Sequence, residues 1–432
     1  MKQHRRIFLK QAGSFMAVSL IMPMIKSMAS VTGKRNPKIL LRSSWQTVNI
    51  GDTSHTFGIM ALLQTYLPEA EITLWAKNLD RGVDILMAQT FPKLNIINGG
   101  AIDNAGKSSD SRLEKAFTEN DFMLHGSAYN VTARKDLIAW YAATKKPYGI
   151  YGVSLDEVDD QLKEVINRSS FIYCRDTESL KYLKSLKLSC PIQAFAPDAT
   201  FGTKLRNEEK GKAYLKSVNL EDDKFICVIP KLRYTPYWQM NNTQPTDDEK
   251  KKYELSQAYK EADNAKLREV ITRWVKETGQ KVLVCAEVTY QVGLGKEVVD
   301  ALPDAIKQQV VWRDTFWNPD EAGSVYARSR ALVTLEQHSA IICFAEGIPA
   351  IVLKQPTDTR KGQMWRDVGL GDWYFEIEET PGSQIANMLM EIHHNYDAAL
   401  KKLNTCRQQV IQIQKETMSH VKSAAIASVK NE

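Results

Sequence analysis

The chain has 432 residues, 43% of them hydrophobic, with 22 Gly and 15 Pro. That is room for two domains with full cores, and it excludes disordered and collagen-like classes. The formal charge is +6, but residues 1–29 hold Lys2, Arg5, Arg6, Lys10 and Lys26 with no acid, which leaves about +1 for the rest and no electrostatic case for a nucleic-acid partner.

The N-terminus reads as an address. Arg5-Arg6-Ile7-Phe8-Leu9-Lys10 has the twin-arginine pattern, with His4 where Ser or Thr is common. A short apolar stretch runs from Ala12 to Ile25, and Ser27-Met28-Ala29 offers small residues for cleavage. Residues 1–30 are therefore expected to be an export signal, with the folded body periplasmic or extracellular, or membrane-anchored if the signal stays on. No later segment is long and apolar enough to span a bilayer. The six cysteines show no CxxC pairing, so neither a zinc site nor a disulfide scaffold is expected, and Cys174, Cys227, Cys285 and Cys343 read as small buried hydrophobes.

From residue 31 short apolar runs alternate with helix-length segments. Strands are expected at 39–41, 72–75, 94–97, 122–124, 148–153, 171–174 and 192–195, with helices near 53–66, 83–91 and 136–144. The rhythm resets across 200–224, a stretch rich in Lys, Glu and Asn. Phe225–Pro230 then opens a second set of strands at 281–285, 310–312, 331–335 and 350–353. Strand–helix repetition gives parallel sheets with helices on both faces. The fold class is α/β, two facing Rossmann-like domains over 31–205 and 206–380. Leu389, Ile392, Tyr396, Leu400 and Leu403 in 381–432 have the spacing of amphipathic helices packed on the body. The polar stretch 237–262 reads as a surface loop, with a flap as the alternative.

Open parallel sheets bind ligands beyond the carboxyl ends of their strands, so the candidate site residues are sought there. Asn49-Ile50-Gly51-Asp52 follows the first strand and starts a helix; Asp52 suits a cap or a ligand contact equally. His125-Gly126 ends another strand, where a buried, hydrogen-bonded histidine is the simpler reading. Arg175-Asp176 reads as an ion pair with a cap. Lys231 and Arg233 end the second domain's first strand, where two cations suit a phosphate or carboxylate. His338 starts a helix two residues after Glu336, and imidazole there suits acid–base work near neutral pH. Gly293-Leu294-Gly295-Lys296 lacks the spacing of a Walker loop.

Taken in order, Asn49–Asp52, His125-Gly126, Lys146-Pro147 leading to Tyr151-Gly152-Val153, Arg175-Asp176 with Ser179, Pro197-Asp198, and His338 through Gly347-Ile348-Pro349 resemble the polysaccharide pyruvyl transferase family over about 39–375. The resemblance implies two facing domains of the GT-B-like kind. It also implies transfer of a pyruvyl group from phosphoenolpyruvate to two hydroxyls of a sugar, forming a ketal and releasing phosphate. His338 matches the family's histidine and is expected to be the acid. Arg233, with Lys231, would hold the donor anion, and Asp52 would be the base or the acceptor contact. Asn49, His125, Gly126 and Glu336 are further expected ligand contacts. Members commonly carry an arginine two residues before the histidine; here that place holds Glu336, which changes the sign of the charge beside a multiply charged donor. The expected activity is transfer of a pyruvyl or related group to an envelope or extracellular glycan. The alternatives are a glycan-binding protein without the donor site, or a glycosyltransferase-like enzyme. A polysaccharide or oligosaccharide acceptor and phosphoenolpyruvate as co-substrate are expected, with no metal and no other cofactor.

Overall fold

The computed structural model describes residues 35–429, so the export signal expected over 1–30 lies outside the described residues. Two all-parallel sheets carry the body. The first comprises β1 (Lys38–Ser43), β2 (Glu71–Ala76), β3 (Asn95–Asn98), β4 (Phe122–His125), β5 (Tyr148–Val153), β6 (Ile172–Cys174) and β7 (Gln193–Phe195), in the order β3-β2-β1-β4-β5-β6-β7. The second comprises β8 (Phe225–Ile229), β9 (Lys281–Val284), β10 (Val310–Trp312), β11 (Ala331–Thr334), β12 (Ala350–Lys354) and β13 (Tyr374–Glu376), in the order β10-β9-β8-β11-β12-β13. The central strands are apolar runs such as Phe225-Ile226-Cys227-Val228-Ile229, buried throughout, because helices cover both faces of each sheet. The apolar runs expected from the sequence are these strands. The three-residue β13 at the edge carries too short a signal to have been found.

In each sheet the order reverses once, between β1 and β4 and between β8 and β11. At such a reversal the connections of neighbouring strands run to opposite faces of a sheet, which makes the strand tips there the usual place for a ligand. Helix α1 (Ile50–Tyr66) leaves the tip of β1 and is buried from Ile50 to Leu63 on nearly every side, as its lack of a polar face predicts.

The stretch 237–262 corrects the loop expectation. Tyr237–Met240 is a short helix, and α2 (Asp247–Thr278) follows it. Thr246 and Glu249 form a capping box: the Thr246 hydroxyl accepts from the Glu249 N–H at 3.3 Å, and the Glu249 carboxylate accepts from the Thr246 N–H at 2.8 Å. Before Asp263 this helix buries only Ser256, so hydrophobic periodicity could not show it.

Two C-terminal helices close the body, α3 (Gly382–His394), packed on α2, and α4 (Tyr396–Ser428). Leu403, Cys406 and Val410 of α4 join the core of the second lobe, whereas Met418, Val421 and Ala425 join that of the first. Each fully buried Val or Met is worth roughly 1.5–3 kcal/mol, so this helix ties the two lobes together. Tyr151 and Tyr173 reach it from the first sheet, to Thr417 at 3.0 Å and to His420 Nδ1 at 2.6 Å. All six cysteines are buried free thiols. No described helix is long and apolar enough to cross a membrane.

Candidate functional site at the seam between the sheets

The strand tips of the two lobes meet directly. Asn49 caps α1, its Oδ1 accepting from the Gly51 N–H at 2.7 Å and the Asp52 N–H at 3.4 Å. The same residue pairs with Val288 beyond β9 in an antiparallel bridge, and the Ile50 N–H donates to the Glu287 carbonyl at 3.0 Å. Helix α5 (Gln337–Glu346) faces α1 from the second lobe, Glu336 being its N-cap residue. Gly51 lies flat on the His338 ring: a Cβ there would sit 2.4 Å from His338 Cγ, so only glycine admits this approach.

Around that contact carboxylates and imidazoles alternate. Asp52 Oδ1 lies 4.0 Å from His55 Nε2, one turn along α1. His55 Nδ1 lies 3.0 Å from Asp198 Oδ1. Asp198 also accepts from the Thr200 N–H at 2.9 Å and from Arg175 Nη1 at 2.7 Å, and Ser154 Oγ holds the Arg175 Nε at 3.0 Å. From the other lobe, His338 Nε2 stands 3.9 Å from Asp198 Oδ2 and His338 Nδ1 stands 3.5 Å from Glu287 Oε1. Glu287 Oε2 accepts from the Ser339 N–H at 2.6 Å. The two imidazoles meet edge to face with centroids 4.7 Å apart.

Burial lowers the His55 pKa against the pull of Asp198, which keeps the ring neutral. It also opposes the Asp198 charge, yet His55, Arg175 and His338 hold that carboxyl well below its usual range. For Glu287, His338 and the Ser339 N–H overcome burial and hold the carboxyl low.

A second group sits beside the first. Lys231 Nζ lies 2.5 Å from Asp358 and 3.8 Å from Glu336, and Gln291 Nε2 donates to Glu336 Oε1 at 2.8 Å. Burial pushes the Glu336 carboxyl up to about 7; Lys231 opposes this and Glu287 adds to it. Gln46 donates to both Asp52 and the Tyr237 hydroxyl, the latter at 3.2 Å. Burial, with the charges of Asp52 and Glu336, keeps the Tyr237 phenol protonated.

Asn49, Asp52, Glu336 and His338 thus share the seam, with Lys231 beside Glu336. Several expectations need correction. Arg233 is not an open anion holder: Asp263 takes its Nε at 2.9 Å and Nη2 at 3.0 Å, Glu378 its Nη1 at 2.7 Å, and Tyr259 stacks on it at 3.6 Å. Lys231 is likewise committed to Asp358 and Glu336. His338 does not present an acid to open space, because both ring nitrogens face carboxylates and its exposure under Gly51 is 7%.

His125 stands apart and is fully buried, its Nε2 accepting from the Ala133 N–H at 3.3 Å and its ring 5.0 Å from that of Trp45. It is a core histidine rather than a ligand contact. Gly126 packs against Ser43, where a Cβ would lie 3.0 Å from the hydroxyl, so its role is close approach of backbone. Arg175 forms an ion pair with Asp198 rather than with Asp176, whose Oδ1 caps the Thr177–Ser185 helix at Ser179 N.

His55, Glu287 and Tyr237 were not singled out from the sequence. His55 has a signal, three residues after Asp52 on one helical face. Glu287 has a weaker one, an acid three residues past a strand end. Among the described residues, His55, Asp198 and His338 are the group whose side chains together offer metal-ligand atoms, all within 4.8 Å of one another.

The model of the polysaccharide pyruvyl transferase family matches residues 49–355. Among solved structures, Medicago truncatula UGT71G1 complexed with UDP-glucose is similar at TM-score 0.54 and 10% identity, over 91% of this chain and 98% of that one. A putative UDP-N-acetylglucosamine 2-epimerase from Listeria monocytogenes is similar at TM-score 0.53 and 10% identity, over 85% and 90%. At such identities these structures share the two-lobed fold and no more. No curated protein matches the sequence.

Proposed function

The chain belongs to the polysaccharide pyruvyl transferase family, and from that premise we propose that it transfers a pyruvyl or related group to hydroxyls of an envelope or extracellular glycan, after export by the twin-arginine route. The observation that carries this reading is the meeting of the α1 and α5 N-termini, with Asp52 and Tyr237 linked through Gln46 at the rim. Asp52 is the base in this scheme: its side chain is 13% exposed, where an acceptor hydroxyl can reach it. The Tyr237 phenol, held protonated, donates to an oxygen of the donor as negative charge develops there.

The donor in this proposal carries less negative charge than phosphoenolpyruvate. Glu336, Asp52, Glu287, Asp198 and Asp358 crowd the seam, and Lys231 and Arg175 are already paired with members of that set. A multiply charged anion brought among them meets repulsion of several kcal/mol at low dielectric. A second reading, glycan binding without transfer, is favoured by one observation, the clamping of His338 between Asp198 and Glu287.

Thermal unfolding tests both readings. A ligand of the folded state at a hundred times its Kd adds about 2.7 kcal/mol of stability. An oligosaccharide is expected to raise the melting temperature, and millimolar phosphoenolpyruvate or phosphate to leave it unchanged. Asp52→Asn should abolish transfer while keeping the oligosaccharide-induced shift. Stabilisation and consumption of phosphoenolpyruvate would refute the donor argument. Oligosaccharide binding with no transfer from any donor would establish the second reading.

A further inference from the structure

Four nitrogens belong to His55 and His338, and each faces a carboxylate: Asp52 at 4.0 Å, Asp198 at 3.0 and 3.9 Å, and Glu287 at 3.5 Å. Each imidazole therefore stands between two carboxylates. His338 Nε2, His55 Nε2 and Glu287 Oε1 are all buried without a hydrogen-bond partner. The charges point the same way. Among the described residues, Arg175 is the one Lys or Arg side chain paired with these three carboxylates, through Asp198, and buried negative charge without a full counter-charge is costly.

We propose that His55 Nδ1, Asp198 Oδ1 and His338 Nε2 bind a divalent cation of the zinc class, with Asp52 and Glu287 as the outer carboxylates that orient the two imidazoles. Two imidazoles and one carboxylate are a borderline donor set that suits Zn2+ and Co2+ better than Mg2+ or Ca2+. Histidine ligands characteristically give their second nitrogen to a carboxylate, and here each histidine has its own. Ligand atoms about 2.1 Å from a tetrahedral zinc stand roughly 3.4 Å apart. His55 Nδ1 and Asp198 Oδ1 stand 3.0 Å apart, His338 Nε2 stands 3.9 Å from the other oxygen of the same carboxylate, and the three side chains offer ligand atoms within 4.8 Å of one another. Arg175 remains on Asp198 Oδ2, and Oδ1, which accepts from the Thr200 N–H at 2.9 Å, has a further lone pair for the cation. Three protein ligands leave one position for water or a ligand oxygen. This site does not depend on the transferase reading, since it rests only on these five side chains.

The test uses the purified chain, stripped with chelator and titrated with Co2+ and Zn2+. One Co2+ per chain with the visible bands of a four-coordinate ion is expected, together with a rise in melting temperature on adding Zn2+ and none with Mg2+. His55→Gln should lose this binding, and Asp52→Asn, at the more open rim, should weaken it about 10–100-fold, the cost typical of removing an outer partner. If His55→Gln fails to fold by circular dichroism, Asp52→Asn decides. Absence of stoichiometric Co2+ binding overturns the proposal. So does binding that survives in both variants, or that disappears in His393→Gln, which would place the ion on the adjacent His393–His394 pair.

Discussion

Replacing Arg175 with methionine is expected to destabilise the protein by about 3–5 kcal/mol, the cost of leaving one partner of a buried ion pair alone. Arg175 and Asp198 have no side-chain exposure, and their contact is 2.7 Å. Methionine fills much of the space but leaves the Asp198 carboxylate with only the Thr200 N–H and His55 as donors. Urea unfolding should show a lower midpoint with an unchanged slope, which marks a loss of stability rather than a change in the surface exposed. Adding Asp198→Leu should recover part of the loss, because the uncompensated charge then disappears. A single-variant loss below about 1 kcal/mol would mean that water reaches this pair, as at an exposed bridge, and the buried network would not be what holds α1 to the sheet.

Acid is expected to act through His125. Burial lowers its pKa from 6.5 to about 3, with Arg42 adding to the shift. Above pH 6.5 both folded and unfolded chains hold this ring neutral and it adds no pH dependence. Below that, the unfolded chain takes up a proton that the folded one refuses, so stability falls until the folded ring also titrates near pH 3. At about 1.4 kcal/mol per pH unit, the full window amounts to roughly 4–5 kcal/mol. His125→Gln keeps an acceptor for the Ala133 N–H and removes the titration. Between pH 6.5 and 4 its unfolding free energy should therefore slope less steeply than that of the unchanged protein, by up to one proton. Parallel slopes would show that the ring is solvated and takes up its proton without unfolding.

Legibility followed the physics of each signal. Fully buried parallel strands are unbroken apolar runs, and Ile39-Leu40-Leu41 or Ala331-Leu332-Val333 cannot easily be anything else in a chain of this rhythm. The residues at their tips, Asp52 and Glu336, were found because a strand end locates them without knowledge of the partner lobe. What could not be read was pairing. Arg233 and Lys231 looked like cations awaiting an anion, but Asp263, Glu378 and Asp358 arrive from 30 to 145 residues away and neutralise them. The same distance hides the set His55, Asp198 and His338, which has none of the short ligand spacing by which metal motifs are recognised. Helix α2 escaped for the opposite reason: its first four turns bury almost nothing, and the capping box at Thr246 and Glu249 was its one local sign.

Hydrogen exchange on the purified chain, with and without an oligosaccharide that raises its melting temperature, tests most directly whether the seam is the working site. Protection is expected in the segment 46–55, in Tyr237–Met240 and at the start of α5 around Gln337–Ala340, with the outer surfaces of both lobes unchanged. Protection confined to those outer surfaces, with the three seam segments exchanging as before, would contradict the account.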